Sequence, residues 1–199
     1  MRYRKNPTLA GFAIPKDKVV TGIKVKLRRK RLEDARHDHT WQSDEELARL
    51  DAAPVLGVSF PLYLLDYTCQ MHDSGLERYL AVDTLDGRHI GNCTYYDVDE
   101  KRGEAQVGIM IGERDYWDKG YGTDAMTMLV NHIFLNTRLQ RVYLKTLDWN
   151  LRAQRCFQKC GFLPCRSLRK NGYNFIVMEL TRKEWEKSRE SKRGSYPIT

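Results

Sequence analysis

The segment Val107-Gly108-Ile109-Met110-Ile111-Gly112, followed by Glu113 to Tyr116 and then Trp117-Asp118-Lys119-Gly120-Tyr121-Gly122-Thr123-Asp124-Ala125, organises the reading of the whole chain. Its first part is an apolar run of strand length. Its second part is a Gly-x-Gly turn opening a helix predicted over Lys119 to Leu135. Glycine takes backbone angles closed to other residues and lets a ligand come close. The free N–H groups of a first helical turn point outward, and the helix dipole favours an anion there. Strand, glycine turn and helix start, in that order, form a cradle suited to a pyrophosphate. The pattern is not the dinucleotide fingerprint, which needs Gly-x-Gly-x-x-Gly, and no Gly-Lys-Ser/Thr follows to make a nucleotide P-loop.

Upstream, Gly22 to Arg28 alternates apolar and charged residues as a half-buried strand does. Leu32 to Trp41 and Asp44 to Leu50 read as short helices, and Pro61 to His72 as a third with proline in its first position. Leu76 to Asp83 and His89 to Val98 read as strands joined by the Asp86-Gly87 turn, and Glu104 to Ile111 as the next strand. Downstream, Val142 to Leu147 is a predicted strand and Asn150 to Cys160 a helix stopped by Gly161. Phe162 to Leu168 and Tyr173 to Leu180 flank the hairpin signal Asn171-Gly172, and Thr181 to Lys192 reads as a basic, helical tail. The order is antiparallel strands, then strand–helix–strand–helix, then a hairpin. It predicts an α+β fold.

The chain has 199 residues, enough for one domain. We expect an irregular basic extension over 1–21, a folded domain over 22–181 and a basic tail over 182–199. Residues 1–31 hold eleven Lys/Arg against one acid, and 166–199 hold nine against four. The middle, 32–165, holds fourteen against twenty-one, so an acidic body carries basic ends. Those ends offer contact to nucleic acid or a ribosome, although solubility alone accounts for them and is the preferred reading. No apolar run approaches the length of a membrane span, and the basic N-terminus has no apolar stretch behind it, so neither a membrane partner nor a signal peptide is expected. Five cysteines without regular spacing point to a reducing compartment, hence a cytoplasmic protein. The basic run Lys24 to Arg31 reads as a solvated edge strand. His37 and His39 face different ways on a helix, and Cys156, Cys160 and Cys165 lack a zinc spacing and a fourth ligand. No metal is expected, and these cysteines read as small buried hydrophobes.

A second segment, Asn150-Leu151-Arg152-Ala153-Gln154-Arg155-Cys156-Phe157-Gln158-Lys159-Cys160-Gly161-Phe162, joins the first in resembling the GCN5-related N-acetyltransferase (GNAT) superfamily. Its coenzyme motif reads Gln/Arg-x-x-Gly-x-Gly/Ala at a strand–helix turn, and its later signature is Asn-x-x-Ala before Gly-Phe. Leu27 to Leu50, with Leu32-Glu33-Asp34, Trp41 and Asp44, is similar to the branch of ribosomal-protein N-terminal acetyltransferases, which also holds spermidine and aminoglycoside enzymes. The resemblance covers about residues 22–181. It implies a single-domain GNAT fold, a mixed, mostly antiparallel twisted sheet of about six to seven strands with helices on both faces. It also implies acetyl-CoA as co-substrate and a primary amine as acceptor: a protein N-terminus, a polyamine or an aminosugar. The amine attacks the thioester directly. Ile109, Met110 and Ile111 would flank the pantetheine, a backbone N–H of Met110 or Ile111 holding the thioester oxygen. Trp117, Lys119, Gly120, Tyr121, Gly122 and Thr123 would hold the pyrophosphate. Asn150 would contact the pantetheine arm, and Ala153 and Phe157 would border its thiol end. A homodimer is expected as the commonest soluble oligomer.

The proton-handling positions depart from that pattern. The usual leaving-group tyrosine falls at Phe157, and two frequent acidic positions fall at Lys145 and Gln106. Glu104, on the same strand face as Gln106, is a candidate base with a solvated strand start as its alternative. Asp148 can orient an amine or cap the next helix. Tyr143 is a candidate proton donor or a packing residue. A second class of function stays open: a CoA-binding sensor or an RNA- or ribosome-associated factor that keeps the fold without the chemistry.

Overall fold

The computed structural model describes residues 19–72 and 79–193. Most of the expected basic extension, the residues just before Tyr79 and the end of the tail lie outside them. The elements are β1 (Val20–Thr21), β2 (Val25–Arg29), a 3-10 turn (Leu32–Asp34), α1 (Ala35–Gln42), α2 (Glu45–Leu50), α3 (Phe60–His72), β3 (Tyr79–Thr84), β4 (His89–Asp99) and β5 (Glu104–Ile111). A second 3-10 turn (Arg114–Tyr116), α4 (Tyr121–Asn136), β6 (Arg141–Leu147), α5 (Leu151–Lys159), β7 (Leu163–Lys170), β8 (Tyr173–Thr181) and α6 (Arg182–Arg193) follow. The strands form one sheet in the order β1-β2-β3-β4-β5-β6-β8-β7. It is an α+β fold with eight strands rather than six or seven. The additional strand is β1, in the stretch read as irregular extension, where Val20 and Thr21 pair with Leu27 and Lys26.

All neighbours in the sheet are antiparallel except β5 and β6. A parallel pair needs a crossover, and α4 supplies it. One face of the sheet meets α4: Val25, Leu27, Leu80, Val82, Ala105, Val107, Val142 and Leu144 join Ala125, Met126 and Leu129 in the apolar core. Trp185 of α6 closes that core against Phe134 and donates its indole N–H to Asn131.

The opposite face is held under α1 by charge. Arg28 of β2 donates to Asp34 at 2.8 Å and to Asp83 at 2.6 Å. Lys30 donates to Asp38 and Asn92, and His89 lies against Asp83 and Asp38. This corrects the expectation of a solvated edge strand over Lys24 to Arg31. With β1 and α1 in place, Arg28 and Lys30 are only 7% and 8% exposed. Buried charges persist when each has a partner, and here three carboxylates answer the cations. Burial opposes ionisation of Asp34, but the hydrogen bonds of Arg28 and the charge of Lys30 outweigh it and hold the carboxyl at about 2. Burial also lowers Lys30, against the pull of Asp38 and Asp34.

Candidate active site

β5 pairs with β4 from Ile111 to Glu104. On its other side it pairs with β6 only at Glu104↔Arg141, Ala105↔Val142 and Gln106↔Tyr143. Beyond those rows the strands diverge. The far half of β5 has a free edge on that side, and a fork opens in the middle of the sheet. An unpaired strand edge is a template for an added extended chain. At the mouth of the fork the indole N–H of Trp117 donates to the Ile111 carbonyl at 2.7 Å and ends the exposed edge. The Arg152 guanidinium lies 3.5 Å over the Trp117 ring and ties α5 to the turn.

A cleft of about 1000 Å³, counted to its open mouth, occupies the fork. It is lined by Ile109, Met110 and Ile111 of β5, by Trp117, Gly120, Gly122 and Thr123 of the turn and α4, and by Asn150, Ala153 and Phe157 of α5. Twelve residues were expected at the coenzyme, and the structure brings these ten to one cleft. Lys119 and Tyr121 do not line it: the Lys119 side chain is exposed, and Tyr121 packs edge-on against Tyr116 with Lys24 over its ring. Gly120 sits at φ 84°, and the turn needs that left-handed angle to enter α4. Asn150 caps α5, its side chain accepting from the Ala153 N–H at 3.2 Å. Asp148 therefore does not cap α5, and its side chain is exposed.

None of the three candidate proton-handling residues lines the cleft. Glu104 stands at the closed end of the fork and accepts from Arg141 at 2.5 Å. Arg141 also binds Glu179 at 2.6 Å. Glu104 is thus committed to an ion pair with Arg141. Tyr143 lies beneath Arg141, and burial followed by the charge of Asp97 raises its pKa. Gln106 donates to Tyr96 Oη, and its own Oε1, like Thr94 Oγ1, is buried without a hydrogen-bond partner.

Leu47, Leu50 and Asp51 line the cleft from the end of α2, a wall that the sequence did not reveal. Asp51 reaches solvent at the rim, yet the surrounding protein desolvates it enough to lift its carboxyl to about 6. Arg49 stacks on Trp149 at 4.9 Å and bridges α2 to the loop after β6. Arg152, Arg155 and Lys159 of α5 give the cleft positive charge. Cys156 lines it too, so it is not a buried hydrophobe. A hydrogen bond with Cys160, opposed by burial and helped by Thr123, brings its thiol down to about 7.

Residues 24–163 match the family model of the acetyltransferase (GNAT) domain. The chain belongs to that family: it is an acetyl-CoA-dependent N-acetyltransferase, with acetyl-CoA as co-substrate. It is 29% identical over 147 residues to the uncharacterized N-acetyltransferase p20 of Bacillus licheniformis, covering 69% of this chain and 80% of that protein. It is 31% identical over 85 residues to the spermine/spermidine N(1)-acetyltransferase of Bacillus subtilis, covering 43% of this chain and 56% of that protein. The fold superposes on the crystal structure of spermidine N-acetyltransferase from Vibrio cholerae in complex with CoA and spermine with a TM-score of 0.71 and 17% identity, over 81% of this chain and 98% of that one. Among the described residues no helix is long and apolar enough to cross a membrane.

Proposed function

We propose that the fork holds acetyl-CoA along the free edge of β5 and that the protein transfers its acetyl group directly to a primary amine. The observation that carries this reading is the loss of β5–β6 pairing after Gln106, where the same stretch of β5 lines the cleft. Acetyl-CoA supplies an activated acyl group and, in its thiolate, a fair leaving group. The fork-facing backbone N–H groups of β5, those of Ile109 and Ile111, donate to the thioester oxygen, whose negative charge grows during attack, while Met110 turns its main-chain groups toward β4. The first turn of α4, from Gly120 to Thr123, offers its N–H groups and dipole to the pyrophosphate. Arg152, Arg155 and Lys159 neutralise the remaining phosphate charge. Asn150 orients the pantetheine arm, and Ala153 and Phe157 exclude water beside it.

Proton removal falls to Asp51 in this reading. Its carboxyl near 6 is mostly ionised at neutral pH and basic enough to receive a proton from the attacking ammonium, directly or through water. Phe157 carries no proton to give, so the thiolate leaves unprotonated or takes its proton from solvent. Five free cysteines fit a reducing compartment such as the cytoplasm. A protein α-amine, as in the ribosomal-protein branch, and small amines remain the acceptor classes to compare.

A thiol-release assay tests the proposal. Purified protein and acetyl-CoA are incubated with N-terminal peptides, polyamines, aminosugars and amino acids, and CoA is titrated. Amine-dependent release that disappears in Gly120→Trp is the expected result. Tight acetyl-CoA binding without release by any amine would leave a CoA-binding sensor as the better account.

A further inference from the structure

The sheet face opposite α4 continues past the fork onto β6, β8 and β7, and there its charge changes sign. Extending the parallel register of Gln106↔Tyr143 by two residues sets Lys145 across the opening from Gly108. Lys145 lies in one row with Val177 of β8 and Arg166 of β7, and Lys170 lies on the same face nearer the hairpin tip. The three cations feel one another: burial lowers the Lys145 pKa, and Lys170 and Arg166 lower it further, with Asp97 the opposing charge. None of the three takes part in an ion pair among the described residues. Asp97 is the acid that acts on Lys145, whose Nζ also lies 5.9 Å from the Tyr143 ring centre, while Glu104 and Glu179 are both bound to Arg141. All three lie outside the cleft lining, on the sheet face beyond it, with Arg166 and Lys170 exposed, and an anion placed between them and the cleft would be attracted by all three.

The other side of the opening has the complementary character. Asp51 lines the cleft from α2. Thr94, paired with Gly108, and Gln106, two residues before it, carry a buried hydroxyl and a buried amide oxygen with no hydrogen-bond partner among the described residues. Oxygen acceptors and a carboxylate suit an ammonium. The cations beyond β6 suit an oxyanion.

We propose that Lys145, Arg166 and Lys170 form an oxyanion-recognition wall, and that the acceptor is a small amine carrying a carboxylate or phosphate group rather than a polycation. The inference rests on the transferase reading above and narrows its substrate class. Its amino group lies toward Asp51 and the thioester, and its oxyanion lies against β6 and β7. Lys145, which does not line the coenzyme cleft, is then a specificity-determining residue. A polyamine would place further positive charge against the three cations.

The test uses the full chain and matched acceptors: an amino acid against its amide, an aminoalkyl phosphate against the corresponding amino alcohol, and spermidine. The expected kcat/KM is about 10- to 100-fold higher for the oxyanion-bearing member of a pair, the range of one or two charge-assisted hydrogen bonds. The two pairs separate carboxylate from phosphate as the preferred group. In Lys145→Ala and Lys170→Ala that ratio collapses toward 1, Lys145→Arg keeps it, and calorimetric affinity for acetyl-CoA stays unchanged. Equal or better turnover of amides, amino alcohols or spermidine overturns the proposal and leaves the transferase reading standing. So does a loss in Lys145→Ala that is uniform across acceptors. Bound acetyl-CoA with no turnover of any acceptor overturns both.

Discussion

β2 and β5 are both central strands of one sheet, yet their surroundings differ. β2 is paired on both sides, by β1 and β3, and its Arg28 is clamped between Asp34 and Asp83 beneath α1. β5 is paired along its whole length with β4 but for only three residues with β6. The first region commits every charge to a protein partner and leaves nothing for a ligand. The second leaves a strand edge, a helix N-terminus and several cations uncommitted, and places them around one cleft. The difference separates what stabilises the fold from what performs the reaction, and substitutions in the two regions should separate in the same way.

The largest effect on ligand binding is expected in the fork. A Cβ on Gly122 would meet Cys156 Sγ and an Ile111 side-chain carbon at 3.6 Å, so the larger side chain of Gly122→Leu must project into the cleft. Acetyl-CoA affinity should fall by roughly 100-fold, about 2.7 kcal/mol, in a calorimetric titration, with little change in melting temperature. Next comes Asp51→Asn, which should lower kcat/KM about 100-fold at neutral pH. In the unsubstituted protein, activity should fall as pH drops through about 6 and Asp51 takes up its proton. That limb should be missing from the variant's pH profile.

The pinned region should respond in the opposite sense. Asp34→Ala leaves Arg28 buried with one partner fewer and should cost about 3 kcal/mol or more of stability, read by urea denaturation. Activity per folded molecule should be kept. The pH dependence follows from the sign of the shift. Asp34 is held at about 2 from an ordinary 3.8, so its contribution is complete above pH 4 and is lost as pH falls toward 2. The smallest effect is expected from Arg49→Ala. Losing the exposed stack on Trp149 should raise KM a few-fold, on the order of 0.5–1 kcal/mol, without a change in stability.

The two regions were unequally legible in the sequence. The strand–turn–helix at Val107 to Ala125 was readable because its signals are local: an apolar run, two glycines and a helical period. Asn150 with Gly161-Phe162 marked the second wall for the same reason. The pinned charges were not readable. Arg28 meets Asp83, 55 residues away, and without that partner a run of cations looks solvated. Glu104 looked like a free base because its partner Arg141 lies 37 residues along the chain. Asp51 gave no signal at all, since its raised pKa comes from desolvation by the surrounding fold at the cleft rim and not from its neighbours in sequence. β1 went unread because two residues carry no periodicity.

In the proposed reaction the unpaired half of β5 is the edge on which the coenzyme docks. Amide hydrogen exchange with and without acetyl-CoA tests it most directly. Slowed exchange is expected at fork-facing amides between Val107 and Ile111 and in the first turn of α4, with β2 and β3 unchanged. Bound acetyl-CoA that leaves those amides exchanging freely, or that protects a different edge of the sheet, would contradict it.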